Sequence, residues 1–134
     1  MLAWLRNLLK GESDPARSNR ELAERGENLA AKHLQSLGYK ILMRNFRCEL
    51  GEVDLVARDG RTLVFVEVKT RVDDTVSPES QVDADKQQHV IRVARHYLSR
   101  YGVPRPPYRF DVVGIVWPPG RSARINHIPN AFGE

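Results

Sequence analysis

Apolar residues recur at helical spacing over the first ordered stretch of this chain, where Leu22, Leu29, Ala30, His33, Leu34 and Leu37 fall largely on one side. Ser18-Asn19-Arg20-Glu21 has the S-x-x-E form of a capping box, and Gly38 supplies a stop, so a helix is expected from about Ser18 to Leu37. The period then shortens to that of strands. Tyr39–Phe46 reads as a first strand with Ile41, Met43 and Phe46 turned inward, Gly51–Arg58 as a second, and Thr62–Arg71 as a third. After a polar loop from Val72 to Ser80, helical spacing returns. Val82, Val90, Val93, Ala94, Tyr97, Leu98 and Tyr101 mark the core side of a second helix, expected from Pro78 or Glu79 to Tyr101. Pro104, Pro106 and Pro107 impose an extended connection. Tyr108–Val116 is a fourth strand, and Arg124–Ile128 a short fifth after the turn at Pro118–Gly120.

The order is therefore α-β-β-β-α-β-β. Short links make the first three strands antiparallel neighbours, and the second helix can cross over to a parallel fourth strand. The expected fold is α/β, a mixed sheet of about five strands flanked by helices. The chain has 134 residues, enough for one domain with its own core, here 19–134. Residues 1–18 are set apart as an extension: Gly11–Arg17 reads as a linker, and MLAWLRNLLK carries a short apolar stripe. That stripe lacks the flanks of a signal peptide and is read first as a loosely docked helix, and only second as a membrane-surface anchor.

Composition narrows the classes. Hydrophobic residues at 41% and charged residues at 28% suit a globular chain, and no apolar run nears the roughly 20 residues of a membrane span. A single cysteine, Cys48, excludes an internal disulfide and a cysteine-based zinc site, in keeping with a cytoplasmic protein. The net charge of +4 permits nucleic-acid contact without establishing it, because the basic residues form no polybasic run.

Against this background the stretch GEVDLVARDGRTLVFVEVK, Gly51–Lys69, is anomalous. Asp54, Glu67 and Lys69 interrupt strands that otherwise look buried, and buried charges are normally paired or hold a metal. If Asp59-Gly60 forms a two-residue hairpin loop, Arg58 pairs with Arg61 and Asp54 lies opposite Phe65. Asp54, Glu67 and Lys69 then share a face, with the two carboxylates diagonal neighbours about 7–8 Å apart. Oxygen ligands of this kind suit a hard cation such as Mg²⁺ or Mn²⁺, and the lysine beside them suits phosphodiester hydrolysis. A structural Asp54–Lys69 or Glu67–Lys69 ion pair accounts for the same charges without a metal. Glu27 borders the inward face of the first helix, where pairing with Arg20 or Lys32 is the simpler reading. Gly26 beside it weakens the helix by about 1 kcal/mol relative to alanine, which a close backbone approach would explain. His89 and His96, about 10.5 Å apart along a helix, are too far apart to share one ion.

The spacing of Glu27, GEVDLV and VFVEVK resembles the PD-(D/E)xK nuclease superfamily of restriction endonucleases and Holliday-junction resolvases. More closely, RGENLAAKHLQSLGYKIL, RNFRCELGEVDLVARDG, LVFVEVKTR, the helix containing Lys86, RFDVV and INHIPNAF resemble the bacterial YraN family over roughly residues 19–132. The resemblance implies a restriction-endonuclease-like sheet, with Asp54, Glu67 and the Val68 carbonyl as metal ligands and Glu27 as the acidic residue from the first helix. It also implies a role for Lys69 at the attacking water or the phosphate. The superfamily's proline is replaced by Val53, and the loop around Ser77 and Pro78 departs from the Gly- and Phe-containing form of YraN-like chains. An unperturbed lysine titrates near 10.4, so water positioning and charge stabilisation suit Lys69 better than general-base work.

Two functions follow as expectations. The first is a divalent-metal-dependent endonuclease acting on DNA, on branched or damaged forms, with Lys86 and Arg71 contacting backbone phosphates. The second is a non-catalytic nucleic-acid-binding or adaptor module that keeps the fold. The two-fold character of DNA junctions admits a homodimer, by analogy alone.

Overall fold

The computed structural model describes residues 15–73, 75 and 82–133. Its elements are α1 (Pro15–Ser36), β1 (Lys40–Cys48), β2 (Gly51–Asp59), β3 (Thr62–Arg71), α2 (Ala84–Leu98), β4 (Tyr108–Val116) and β5 (Arg124–Phe132). They form one five-stranded sheet in the order β1-β2-β3-β4-β5, antiparallel throughout except for the parallel β3–β4 pair joined through α2. Class, element order and connectivity are those expected. Among the described residues no helix is long and apolar enough to cross a membrane.

The near-continuous apolar run of β3 follows from its place at the centre, covered on both faces. Leu63 and Phe65 join the core beneath α2 with Val90, Tyr97 and Phe110, whereas Val64 and Val66 join the core beneath α1 with Ala30, Leu34 and Val113. Backbone bonds from Leu63 N–H to the Pro107 carbonyl and from Trp117 N–H to the Arg71 carbonyl tie β3 to β4 at both ends.

Several boundaries move. Helix α1 begins at Pro15, a residue favoured at a helix start, so Ser18 lies inside the helix and the expected linker yields its last residues to it. The rest of that linker, the N-terminal stripe, and Ser77–Glu79 lie outside the described residues. Helix α2 begins only at Ala84, where the Asp83 carboxylate accepts the Lys86 N–H at 2.9 Å, and it ends at Leu98, before Tyr101. Leu37 is exposed past the end of α1. Cys48 closes β1 and packs beneath α2. Strand β5 runs on through Pro129 to Phe132, which stacks on Phe110 at 5.1 Å; proline is tolerated there because β5 is a sheet edge. Ile41 and Met43 are not same-face neighbours, because the β1–β2 register shifts between them: Ile41 packs under α1 and Met43 under α2.

Gly26 explains itself in the fold. A Cβ there would overlap the Thr70 hydroxyl and stand 2.9 Å from Thr70 Cβ, so only glycine lets α1 lie this close to the end of β3. Gly26→Ala should therefore lower the unfolding free energy by about 1–3 kcal/mol, although alanine is the better helix former. Adding Thr70→Ala should recover part of the loss; urea denaturation of the single and double variants measures both.

Candidate active site

The hairpin loop is Gly60-Arg61, not Asp59-Gly60. Asp59 stays in the strand opposite Thr62, and Gly60, at φ 59°, takes the first loop position, as in the Gly-X form of a type II′ turn. Moving the loop by one residue slides every partner by two, so parity survives but neighbours change: Val56, not Asp54, is opposite Phe65. The last register pair on the other side is Leu55↔Val66. Beyond it the Asp54 carboxylate accepts the Val68 N–H at 2.8 Å, where a backbone carbonyl of β2 would otherwise serve.

A coupled irregularity opens the ladder at this point. Val53 and Val56 both belong to the core beneath α2, although strict alternation would put residues three apart on opposite faces. In β1, Arg44 reaches the Glu27 carbonyl of α1 while Phe46 packs beneath α2, although residues two apart should share a face. The breaks fall at Asp54 and Asn45, which lie between the paired steps Arg44↔Leu55 and Phe46↔Val53. Asn45 holds φ at 51°, a left-handed conformation that asparagine tolerates better than most residues. Asp54 is consequently not a regular member of the face carrying Glu67 and Lys69. Its carboxylate turns into the opening between β2 and β3.

A cavity of about 560 Å³ occupies that opening. Glu27 on α1, Asp54 on β2, Glu67, Lys69 and Arg71 on β3, and Lys86 near the start of α2 all line it. Glu67 is only 2% exposed. One of its oxygens lies 3.5 Å from Lys86 Nζ, and the other, Oε1, is buried with no hydrogen-bond partner among the described residues. Burial, followed by repulsion from Asp54, pushes the Glu67 carboxyl up to about 7. Burial likewise raises Asp54, against the opposing Val68 N–H and the two lysines. Glu27 is raised by burial and then by Asp54, while hydrogen bonding to the Asn45 side chain works the other way. Among the described residues Glu27 pairs with neither Arg20 nor Lys32, and Lys69 forms no ion pair with Asp54 or Glu67.

The structure thus brings all the sequence-derived residues to one cavity: Glu27, Asp54, Glu67, Val68, Lys69, Arg71 and Lys86. It does not gather them into a ready cage, since among the described residues no three His, Cys, Asp or Glu side chains converge closely enough to hold an ion. Two carboxylates with an orphaned buried oxygen still suit Mg²⁺, which keeps several waters and commonly takes only one or two protein carboxylates. Asn45 was missed in the sequence, and a lone asparagine in a strand carries no signal of this role. The contact of Lys86 with Glu67 was missed as well, since nothing local links residues on β3 and α2.

A second buried carboxylate has a different character. Asp111 is 0% exposed and accepts from Arg109 Nε at 3.0 Å, His127 Nε2 at 2.8 Å and the Asn130 N–H at 2.9 Å. Burial alone would raise it, but the bonds from His127, Arg109 and Asn130 together hold it below the usual range. Arg109 reaches it from the same strand, and His127 reaches it from the edge strand β5. This network is satisfied and structural.

Residues 26–115 match the family model described as Uncharacterised protein family UPF0102. The chain belongs to the UPF0102 family. A UPF0102 protein of Geobacter sulfurreducens is 49% identical over 115 residues, covering 85% of this chain and 90% of the relative. UPF0102 proteins of Symbiobacterium thermophilum and Caldicellulosiruptor saccharolyticus are 46% and 44% identical, over 85% and 86% of this chain and 98% and 99% of their own lengths. UPF0102 is the YraN-like family of PD-(D/E)xK type that the motifs resemble, and the matched span contains every cavity residue named above.

The raised Glu67 carboxyl has a testable sign. Because the folded protein keeps a proton that the unfolded chain releases above about 4.5, this group costs stability as pH rises from there to about 7. Glu67→Gln should flatten the fall in urea midpoint between pH 5 and pH 8 in metal-free buffer, read with matched denaturation series. A smaller slope should remain, because Asp54 and Glu27 are shifted in the same direction.

Proposed function

We propose that this UPF0102 protein is a divalent-metal-dependent endonuclease that hydrolyses DNA phosphodiesters, with branched or damaged DNA as its substrates. The observation that supports this most is the buried Glu67, one oxygen unpartnered, beside a half-buried Asp54, in a cavity that also presents Lys69, Arg71 and Lys86. Two desolvated carboxylates repel each other unless a proton or cation lies between them. Asp54 and Glu67 would hold Mg²⁺ or Mn²⁺ with the Val68 carbonyl, and Glu27 would act from the α1 wall. Bound there, such a cation supplies Lewis acidity toward phosphoryl oxygens and a more acidic water.

The chain's own residues do the rest. Lys69, free of an ion pair with either carboxylate, orients the attacking water and offsets charge that develops on the phosphate. Arg71 and Lys86 at the cavity wall draw in the backbone phosphate and fix its register without reading sequence. The apolar frame of β3 holds Glu67 and Lys69 at constant separation.

A second reading has one observation in its favour. Lys86 already lies 3.5 Å from Glu67, and an internal cation of this kind can neutralise a carboxylate without metal, as in a binding or adaptor module. Incubation with linear, nicked and four-way-junction DNA in Mg²⁺ or Mn²⁺ separates the two. Cleavage by wild type that drops at least about 100-fold in Asp54→Ala and Glu67→Ala is expected. Junction binding without cleavage, unchanged in both variants, would replace the nuclease with the module. Lys69→Ala should lower the cleavage rate by about 10²–10³ while leaving saturable Mn²⁺ binding in place.

A further inference from the structure

A second concavity, about 810 Å³, lies at the opposite end of α2 from the acidic cavity, between the Gly60-Arg61 loop and the 104–107 segment. Its floor is apolar, with Leu63 and Tyr101, and prolines form one wall. Four arginines line it, Arg58, Arg61, Arg100 and Arg105, and no carboxylate does. The guanidinium of Arg100 stacks on Tyr97 at 3.9 Å, and Arg58, Arg61 and Arg105 have no carboxylate partner among the described residues. Four uncompensated guanidinium groups around flat apolar surfaces match an anion that also carries flat rings.

Helix α2 links the two concavities. Lys86, His89, Arg92 and His96 recur every three or four residues along one side of it, and Arg100 continues the line. Beyond Asp85 the helix carries no carboxylate. From Lys86 at the acidic cavity to Tyr97 beside the arginines is about 16 Å at about 1.5 Å per residue.

We propose that a single strand of nucleic acid leaves the acidic cavity, runs along the basic side of α2, and ends in the arginine pocket. There its phosphates meet Arg58, Arg61 and Arg105, and a base rests on Tyr101. A duplex is too broad to enter the pocket, whereas unpaired bases stack on aromatic side chains whatever their identity. The inference rests on the nucleic-acid part of the reading above and not on cleavage.

Fluorescence anisotropy with a labelled single-stranded DNA oligonucleotide, without divalent metal, tests it. The triple variant Arg58→Ala/Arg61→Ala/Arg105→Ala should bind at least about tenfold more weakly, and the slope of log K against log salt should fall by about 2, roughly 0.7 for each lost phosphate contact. Tyr101→Leu should weaken binding roughly fivefold or more for the ordinary strand but little for an abasic strand of equal length, which a simple loss of charge or fold would not do. Unchanged affinity and salt slope in the triple variant, or no binding by wild type, would overturn the inference. An equal loss on a blunt duplex would overturn the single-strand assignment. Binding lost in the triple variant of a protein that cleaves nothing leaves the pocket standing and removes the nuclease. Cleavage with binding untouched by the triple substitution does the reverse.

Discussion

A buried Glu67 set against a half-buried Asp54, at the place where β2 and β3 part, sets the terms for the surrounding structure. Nothing in a purely structural role favours placing Asp54 against a buried Glu67, since Asp54 adds repulsion to the desolvation that already makes Glu67 costly to ionise. The surrounding devices all serve to keep them there. A left-handed Asn45 and a matching break at Asp54 open the ladder. The Val68 N–H fixes one Asp54 oxygen, and the Gly26–Thr70 approach closes α1 over the opening. Central strand β3, buried on both faces, lets none of this relax into solvent.

Comparison with Asp111 shows what is unusual about the pair. Both aspartates accept a backbone N–H near an irregularity in the sheet, Val68 in one case and Asn130 in the other, where the β4–β5 register shifts between Phe110 and Val112. Around Asp111 the remaining capacity is filled by Arg109 and His127, and its carboxyl is held low. Arg109 also reaches Asp59 at 3.1 Å and the Tyr39 hydroxyl at 2.6 Å, knitting β2, β4 and the start of β1 together. Around Asp54 and Glu67 the capacity is left open and both carboxyls are raised. The same residue type thus completes the fold in one place and leaves a surplus of negative charge in the other.

Charge is sorted along α2 in a way that the small net value of +4 hides. Carboxylates and cations mix in the cavity at its start, whereas the charged residues lining the concavity at its end are all arginines. The helix between them is basic along one side, because its core-facing residues, Val90, Val93, Ala94 and Tyr97, leave an adjacent strip free for charged ones.

Local pattern carried far in this chain. Periodicity alone yields seven elements in the right order, and helical spacing identifies the core side of α2, because burial of one face dictates where apolar residues stand. The buried-charge anomaly at Asp54, Glu67 and Lys69 is legible for the same reason: charges stand out in strands that are otherwise apolar. Tertiary structure decided what depends on contacts remote in sequence. Which two residues form the hairpin loop, and so which neighbour faces Asp54, turned on whether Asp59 stayed in the strand, where it pairs with Arg109, 50 residues away. The bulge that separates Ile41 from its expected same-face neighbour Met43 is set by pairing with β2, and the meeting of Lys86 with Glu67 by the packing of α2 on the sheet. The four pocket arginines come from three separate segments, so no run of residues announces them. Sequence determines which side chains are available and what each prefers; which of them share a few ångströms of low-dielectric space is decided only when the sheet closes.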